Sequence, residues 1–143
     1  MQLSRFDDVL SALQQHRAAL PKEAGPRLAH CAQSIECLLT SFPQMRAWPI
    51  RAFIGPMLLK KFLRQGFMKH DVTAGIAGVP EVPVDLPVAE GVERLTASIA
   101  AFRAHPGELH PHFAYGPLSR AEAEAVQSMH VAEHLTALLA DAK

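Results

Sequence analysis

Two histidines near the C-terminus have a spacing that suits metal binding. His130 and His134 are four residues apart, so on an α-helix their rings project from one face and can share one ion. An HxxxH pair by itself is weak evidence for such a site. The same face carries Ala123, Val126 and Ala137 but no Lys or Arg, which is unusual for a solvated face of a charged chain. The face is therefore expected to be partly buried.

A third histidine lies on a similar face of an earlier predicted helix. His30 shares that face with Ser34, Cys37 and Ser41, and small, uncharged residues are what a pocket between helices needs. Two helices that each present histidine from a small-residue face predict an interhelical site for one divalent metal, bound by His30, His130 and His134. The alternative is that these are ordinary half-buried histidines hydrogen-bonded to neighbours, and the pattern alone weighs the two interpretations evenly.

Glu133 lies between the two histidines of the last helix. His130-Val-Ala-Glu133-His134 has the HxxEH order of inverted zinc peptidases. That motif needs another carboxylate ligand well downstream, and Asp141 lies about 10 Å further along the helix, too far to share the ion. A peptidase is therefore not favoured. Glu133 could instead act as a proton shuttle if its side chain turns inward.

Three neutral imidazoles leave at least one coordination position for water or substrate, as in catalytic metal sites. Imidazole suits nickel and zinc equally, so the sequence does not separate these ions. Cys37 is a poor candidate for a closing ligand, because it lies roughly 10 Å from His30 along the helix.

The two cysteines and the lack of long apolar runs indicate the cellular compartment in which the protein is expected. Cys31 and Cys37 are about 9 Å apart along one predicted helix, too far for a disulfide, so they are expected to be reduced thiols in a cytoplasmic protein. The N-terminus lacks the basic and apolar regions of a signal peptide. No apolar run approaches the roughly 20 residues of a membrane span, so stable membrane insertion is not expected.

Charge is balanced overall but uneven along the chain. Lys plus Arg equals Asp plus Glu, 14 of each, so composition predicts no nucleic-acid partner. Between Cys37 and His70, however, the charged residues are all basic: Arg46, Arg51, Lys60, Lys61, Arg64 and Lys69. This stretch either recruits an anionic substrate, a thiol cofactor or a membrane surface, or is simply a solvated helix face, which is the more common outcome.

Four long segments have the apolar period of an amphipathic helix, and proline marks several of their ends. They run from about Ser4 to Leu20, Pro26 to Phe42, Val88 to Ala104, and Ser119 almost to the end. Ser119 and Glu122 have the spacing of a capping box at the start of the last helix. A shorter basic helix is predicted from Pro56 to Arg64, followed by an irregular loop from Thr73 to Pro87.

These elements predict an all-α protein of one domain, residues 1–143. The simplest arrangement is an antiparallel four-helix bundle, with the short helix and loop inserted between the second and third core helices. The insertion, Arg46 to Pro87, is expected to lie outside the four core helices.

Three motifs in this order resemble the DinB/YfiT-like superfamily of bacterial four-helix proteins, within a largely uncharacterised branch. They are Leu28-Ala-His30-Cys31-Ala-Gln-Ser-Ile-Glu36, His110-Pro-His-Phe-Ala-Tyr-Gly-Pro-Leu118 and Met129-His130-Val-Ala-Glu133-His134-Leu135. The resemblance covers roughly Ser4 to Ala140. It implies that one histidine of the second helix and the HxxxH pair of the last core helix hold nickel, zinc or a similar ion; these are His30, His130 and His134. Many relatives have a second histidine where this chain has Glu133.

Characterised members of that superfamily include transferases and isomerases that depend on a low-molecular-weight thiol, beside damage-induced proteins of unknown activity. The resemblance therefore implies a metal-dependent enzyme acting on a small molecule, with a thiol-dependent transferase or isomerase ahead of a hydrolase. The alternative is a non-enzymatic, metal-stabilised, stress-related binding or assembly module, expected to be a homodimer. Fold analogy alone does not transfer an activity.

Overall fold

The computed structural model describes residues 1–141, and this part of the chain is built from helices. It contains no β-strand within that range, only an isolated antiparallel bridge between His112 and Gly116. The prediction of an all-α protein is confirmed. The helices are α1 (Phe6–His16), α2 (Ala24–Thr40), α3 (Gly55–Gln65), α4 (Val88–Ala104) and α5 (Arg120–Asp141), with a 3₁₀ turn at Arg17–Ala19 and a π-helical turn at Ile50–Ile54.

The first helix is shorter than its apolar pattern predicted. The α-helical part ends at His16, and Leu20 already has extended backbone angles, φ −69° and ψ 127°. The residue that follows is Pro21. A proline disfavours the α conformation of the residue before it and lacks the N–H needed to continue the helix.

The start of α5 has the capping box that the sequence predicted. The backbone N–H of Glu122 donates to Oγ of Ser119 at 3.1 Å, and the backbone N–H of Ser119 donates to Oε1 of Glu122 at 3.1 Å. These two bonds fix the first turn of the helix that carries two of the three candidate histidines.

The main core lies where α2 packs along α4, with α1 and α5 closing it. Its fully buried side chains include Phe6, Leu28, Ile35, Leu38, Leu95, Ile99 and Leu135. Two glycines allow these helices to approach closely: a Cβ on Gly91 would lie 2.3 Å from the carbonyl oxygen of Gly25. The α2 and α4 backbones are therefore in direct contact at that level. The antiparallel four-helix arrangement of the long helices stays a prediction.

The inserted helix α3 has a small apolar cluster of its own against α5. This cluster is formed by Leu59, Phe62, Met68, Val126 and Met129. Pro56 opens α3, and Gly66 ends it in the left-handed conformation, φ 77°, which glycine adopts without steric cost. The chain then turns back over α5, so residues 67–70 pass beside the turn that carries His130 and His134.

Across residues 1–141, no helix combines the length and the apolar character needed to cross a membrane.

Candidate metal centre

The structure brings the three predicted histidines together between α2 and α5. One ring nitrogen from each of His30, His130 and His134 can be chosen so that all three atoms lie within 4.8 Å of one another. The Nε2 atoms of His130 and His134 are 3.1 Å apart, as one helical turn between them allows. The His30 ring lies across from both, with centroid distances of 5.2 Å to His130 and 5.1 Å to His134.

Burial keeps these rings neutral. His134 is 1% exposed and His130 is 9% exposed. Burial lowers the pKa of His134 to about 3, with His30 and His70 adding to the effect. The pKa of His130 is held well below its usual value, again mainly by burial and then by the neighbouring imidazoles. The pKa of His30 is lowered by burial and then by His70 and Arg27. Neutral imidazole is the form that binds a metal ion.

The donor set and its spacing fit a divalent transition metal. Two nitrogens that each lie about 2.0–2.1 Å from one ion are about 3–4 Å apart, as are the Nε2 atoms of His130 and His134 at 3.1 Å. The Nδ1 atom of His134 is buried and has no hydrogen-bond partner within the described residues. Nitrogen donors in a site without a carboxylate ligand suit nickel, zinc or a similar ion. The geometry thus shows that the three histidines could hold a metal ion.

A fourth histidine, which the sequence patterns did not single out, joins this cluster. His70 follows α3, and its ring centroid is 4.7 Å from that of His130 and 5.2 Å from that of His134. The side chain is 27% exposed, although its Nε2 atom is buried and unpartnered within residues 1–141. Helical periodicity could not predict this residue, because it comes from a loop. The one usable signal was the unusual number of histidines, eight in 143 residues.

Glu133 points to His70. Its Oε2 atom lies 2.5 Å from Nδ1 of His70. The backbone N–H of His70 donates to the same carboxylate, at 2.9 Å to Oε1 and 3.1 Å to Oε2. The side chain is 17% exposed. Glu133 therefore fixes both the backbone and the ring of His70; its predicted role as a proton shuttle stays a prediction.

A cavity of about 240 Å³ opens beside the histidines. His30, His70 and His130 form one side of it. The loop from His110 to Leu118, one of the three motifs, supplies further walls through residues 112–115. The cavity's other polar lining residues are Ser34, Arg46, Asp71 and Gln127, and its other apolar ones include Met68, Ile76 and Val126. The cavity is thus mainly apolar, with a few polar groups beside the imidazoles, which is the usual character of a small-molecule site.

The small-residue faces predicted around the histidines are only partly at the cavity. Ser34 lines it, whereas Cys37 is buried in the main core and Ser41 is exposed beyond the end of α2. On α5, Val126 lines the cavity and Ala123 belongs to the core. The wheel projection identified Ser34 and Val126, which line the cavity, but it could not tell which neighbouring helix each residue of a face meets.

Two polar side chains of the cavity have distinct environments. Gln127 is 1% exposed, and both its amide nitrogen and its amide oxygen lack partners within the described chain. Tyr115 has its pKa raised to about 12, first by burial and then by the charge of Glu133, so its phenol stays protonated. Each can donate a hydrogen bond, and Gln127 can also accept one.

The basic stretch contributes one of its charged residues to the cavity. Arg46 lines the cavity, and its backbone N–H donates to the carbonyl of Phe113 at 2.9 Å. By contrast, Lys60, Lys61 and Arg64 are exposed along α3, as expected for a solvated helix face.

Fold and site together define an all-helical protein with a histidine cluster that could hold a divalent metal. The chain belongs to a protein family of unknown function (DUF1569), whose family model matches residues 3–141. Searches of curated proteins and of solved structures each found no match. The family assignment therefore covers nearly the whole chain but does not indicate an activity.

Proposed function

We propose that this protein is a divalent-metal-dependent enzyme in which His30, His130 and His134 bind the ion. The observation that carries the proposal is the convergence of three neutral imidazoles, with ligand atoms within 4.8 Å, beside a cavity of about 240 Å³. A metal held only to tie helices together would not need such a space. A cavity next to an incompletely coordinated ion is the usual arrangement of a catalytic site.

A bound divalent ion supplies Lewis acidity, which polarises a substrate oxygen and favours ionisation of water or of a thiol. The protein residues supply binding and orientation. The walls are mainly apolar, and Arg46 and Asp71 bring one residue of each charge to the lining. Gln127 offers an unpartnered amide donor and acceptor, and the protonated phenol of Tyr115 offers a further donor. These groups favour a small, partly apolar substrate that also carries hydrogen-bonding groups.

For the reaction we favour a thiol-dependent transferase or isomerase over a hydrolase. The support is the resemblance of the three histidine-containing motifs to the DinB/YfiT-like superfamily, which also leads us to propose an antiparallel four-helix bundle forming a single domain. Nickel and zinc are both retained as the metal, because imidazole donors suit both.

The second candidate is a non-enzymatic module in which the metal stabilises the fold, in a homodimer. The observation that favours it is that the three histidines join two different helices, α2 and α5, so a bound ion would cross-link them. Binding to the native state alone would then raise stability without any turnover.

Metal analysis and activity assays on protein purified without a His tag test the proposal. We expect about one nickel or zinc ion per chain in the wild type and in the control His110→Ala, which removes an exposed imidazole. We expect a large loss of metal in His134→Ala. Metal-loaded protein is then assayed with activated esters and with pairs of a thiol and an electrophile.

Turnover that needs both metal and His134 supports the enzyme, and the panel in which it occurs identifies the reaction class. Wild-type protein that binds no stoichiometric metal at micromolar concentrations refutes the metal centre. Stoichiometric metal without turnover in either panel, together with earlier melting of His134→Ala, favours the non-enzymatic module.

A further inference from the structure

His70 is held beside the three-histidine cluster by contacts that leave one of its ring nitrogens free. Its Nδ1 atom lies 2.5 Å from the Glu133 carboxylate. A carboxylate only accepts hydrogen bonds, so Nδ1 carries the proton and Nε2 keeps its lone pair in the neutral ring. That Nε2 atom is buried and without a partner in the described chain.

A purely structural role explains this arrangement poorly. A buried polar atom without a hydrogen bond costs its desolvation free energy, and the backbone N–H and ring Nδ1 of His70, both bound to Glu133, hold the residue in the position that incurs this cost. The ring lies against His130 and His134 rather than against apolar side chains alone. The unpartnered Nε2 atom and the position of the ring are both explained if Nε2 of His70 binds the same ion as His130 and His134.

The pairing with Glu133 is also the arrangement expected around a metal ligand. Histidines that bind metals usually donate their other ring N–H to a carboxylate or carbonyl, which fixes the tautomer and the ring orientation. Within residues 1–141, neither His130 nor His134 has a carboxylate on its ring nitrogens; His70 has one.

We propose that His70 is a fourth imidazole ligand of the metal centre, and that Glu133 positions it. The proposal rests on the proposed metal centre of His30, His130 and His134. Those three ligand atoms form a group within 4.8 Å without His70, so ligation by His70 needs an inward movement of the segment that follows Gly66. This would couple the loop after α3 to the state of the metal centre.

The test is Zn²⁺ binding measured by isothermal titration calorimetry, with the visible spectrum of the Co²⁺-loaded protein as a second readout. The variants are His70→Ala, Glu133→Gln and His130→Ala, with His110→Ala as the matched control at an exposed histidine. We expect His70→Ala to lower Zn²⁺ affinity at least tenfold and to change the Co²⁺ bands, because one nitrogen ligand is lost. Glu133→Gln should weaken binding by about tenfold, the usual effect of losing an outer carboxylate.

The outcomes separate this proposal from the one on which it rests. If His130→Ala loses the metal while His70→Ala keeps wild-type affinity and an unchanged Co²⁺ spectrum, the centre stands and His70 is not a ligand. If the wild type binds no Zn²⁺ or Co²⁺, both proposals fail. Circular dichroism checks that each variant is folded; should His70→Ala unfold, His70→Gln replaces it, and the same spectrum decides.

Discussion

The Nε2 atoms of His130 and His134 face each other at 3.1 Å in the buried interior between α2 and α5. Without a metal, this contact is favourable only when one of the two nitrogens carries a proton and donates it to the other. Both lone pairs are used when the two nitrogens bind one ion instead. Without an ion, therefore, only one of the two nitrogen lone pairs has a partner, whereas a bound ion would use both.

Metal addition should accordingly raise the melting temperature. A ligand that binds only the folded state at 100 times its dissociation constant adds about 2.7 kcal/mol, which for a chain of this size corresponds to roughly 5–10 °C. Differential scanning fluorimetry with Ni²⁺ or Zn²⁺, against EDTA-treated protein, measures the shift. His110→Ala should keep the increase and His134→Ala should lose most of it. Equal increases in both variants would show that the ion binds elsewhere.

The contact between Gly25 and Gly91 predicts a strong packing effect. A Cβ on Gly91 would meet the carbonyl oxygen of Gly25 at 2.3 Å and its Cα at 2.8 Å, and backbone cannot move aside as a flexible side chain can. We expect Gly91→Ala to destabilise the protein by about 1–3 kcal/mol, the usual range for overpacking. Because α2 carries His30, metal affinity should fall as well.

Gly75→Ala is the control for this substitution. A Cβ at Gly75 would meet nothing within 4 Å, so the change should be neutral or stabilising by up to about 1 kcal/mol through the unfolded state. Urea unfolding of the two variants measures the difference. Equal stability of Gly91→Ala and the wild type would mean that α2 and α4 separate easily at this level.

The sequence predicted the long helices well because their signals are local. The Ser119–Glu122 capping box and the apolar stripe of α5 depend only on residues a few positions apart. The three histidines also lie together as predicted. Two of them share one helix face because of their spacing alone. His30 was a less direct prediction, because it required the correct faces of α2 and α5 to pack together.

His70 could not be found in the same way. Its place in the cluster depends on the path of the chain after Gly66 and on a hydrogen bond to Glu133, 63 residues away. No periodicity relates a loop residue to a helix so distant in sequence. For the same reason, helix-wheel analysis did not show that Cys37 packs in the core whereas Ser34 reaches the cavity.

The two cysteines should be unreactive in the folded protein. Both are free; Cys31 is fully buried and Cys37 is 6% exposed. Burial raises the pKa of both thiols, and the charge of Glu36 adds to the effect at Cys37. Because the thiolate is the nucleophile, we expect almost no alkylation by iodoacetamide at pH 8 and two alkylated residues after unfolding in guanidinium. Intact-protein mass spectrometry counts the adducts; rapid native labelling would contradict the buried positions.

His112 lies in the loop that walls the cavity, and its hydrogen bonds require a neutral ring. Its Nδ1 atom accepts the backbone N–H groups of Ala114 at 3.1 Å and Tyr115 at 3.2 Å. The ring is 5% exposed and stacks on Tyr115 with centroids 4.5 Å apart. Burial lowers its pKa from 6.5 to about 3. A protonated Nδ1 could no longer accept either bond, so the local structure depends on the neutral form.

Acid should therefore destabilise the protein partly through His112. Between about pH 6.5 and pH 3 the unfolded state binds a proton at this residue that the folded state does not, so stability falls as pH falls, by about 1.4 kcal/mol per pH unit for one proton. His112→Asn removes the titration and keeps an acceptor, the Oδ1 atom, near the position of Nδ1. We expect this variant to be less stable than the wild type at pH 8, since it loses the stacking on Tyr115, but to lose stability less steeply on acidification.

Urea unfolding of EDTA-treated protein at several values between pH 8 and pH 4.5 measures both slopes, with His110→Asn as the control at an exposed ring. Parallel pH dependence of His112→Asn and the wild type would mean that His112 takes up its proton without unfolding, and that its burial does not hold the ring neutral.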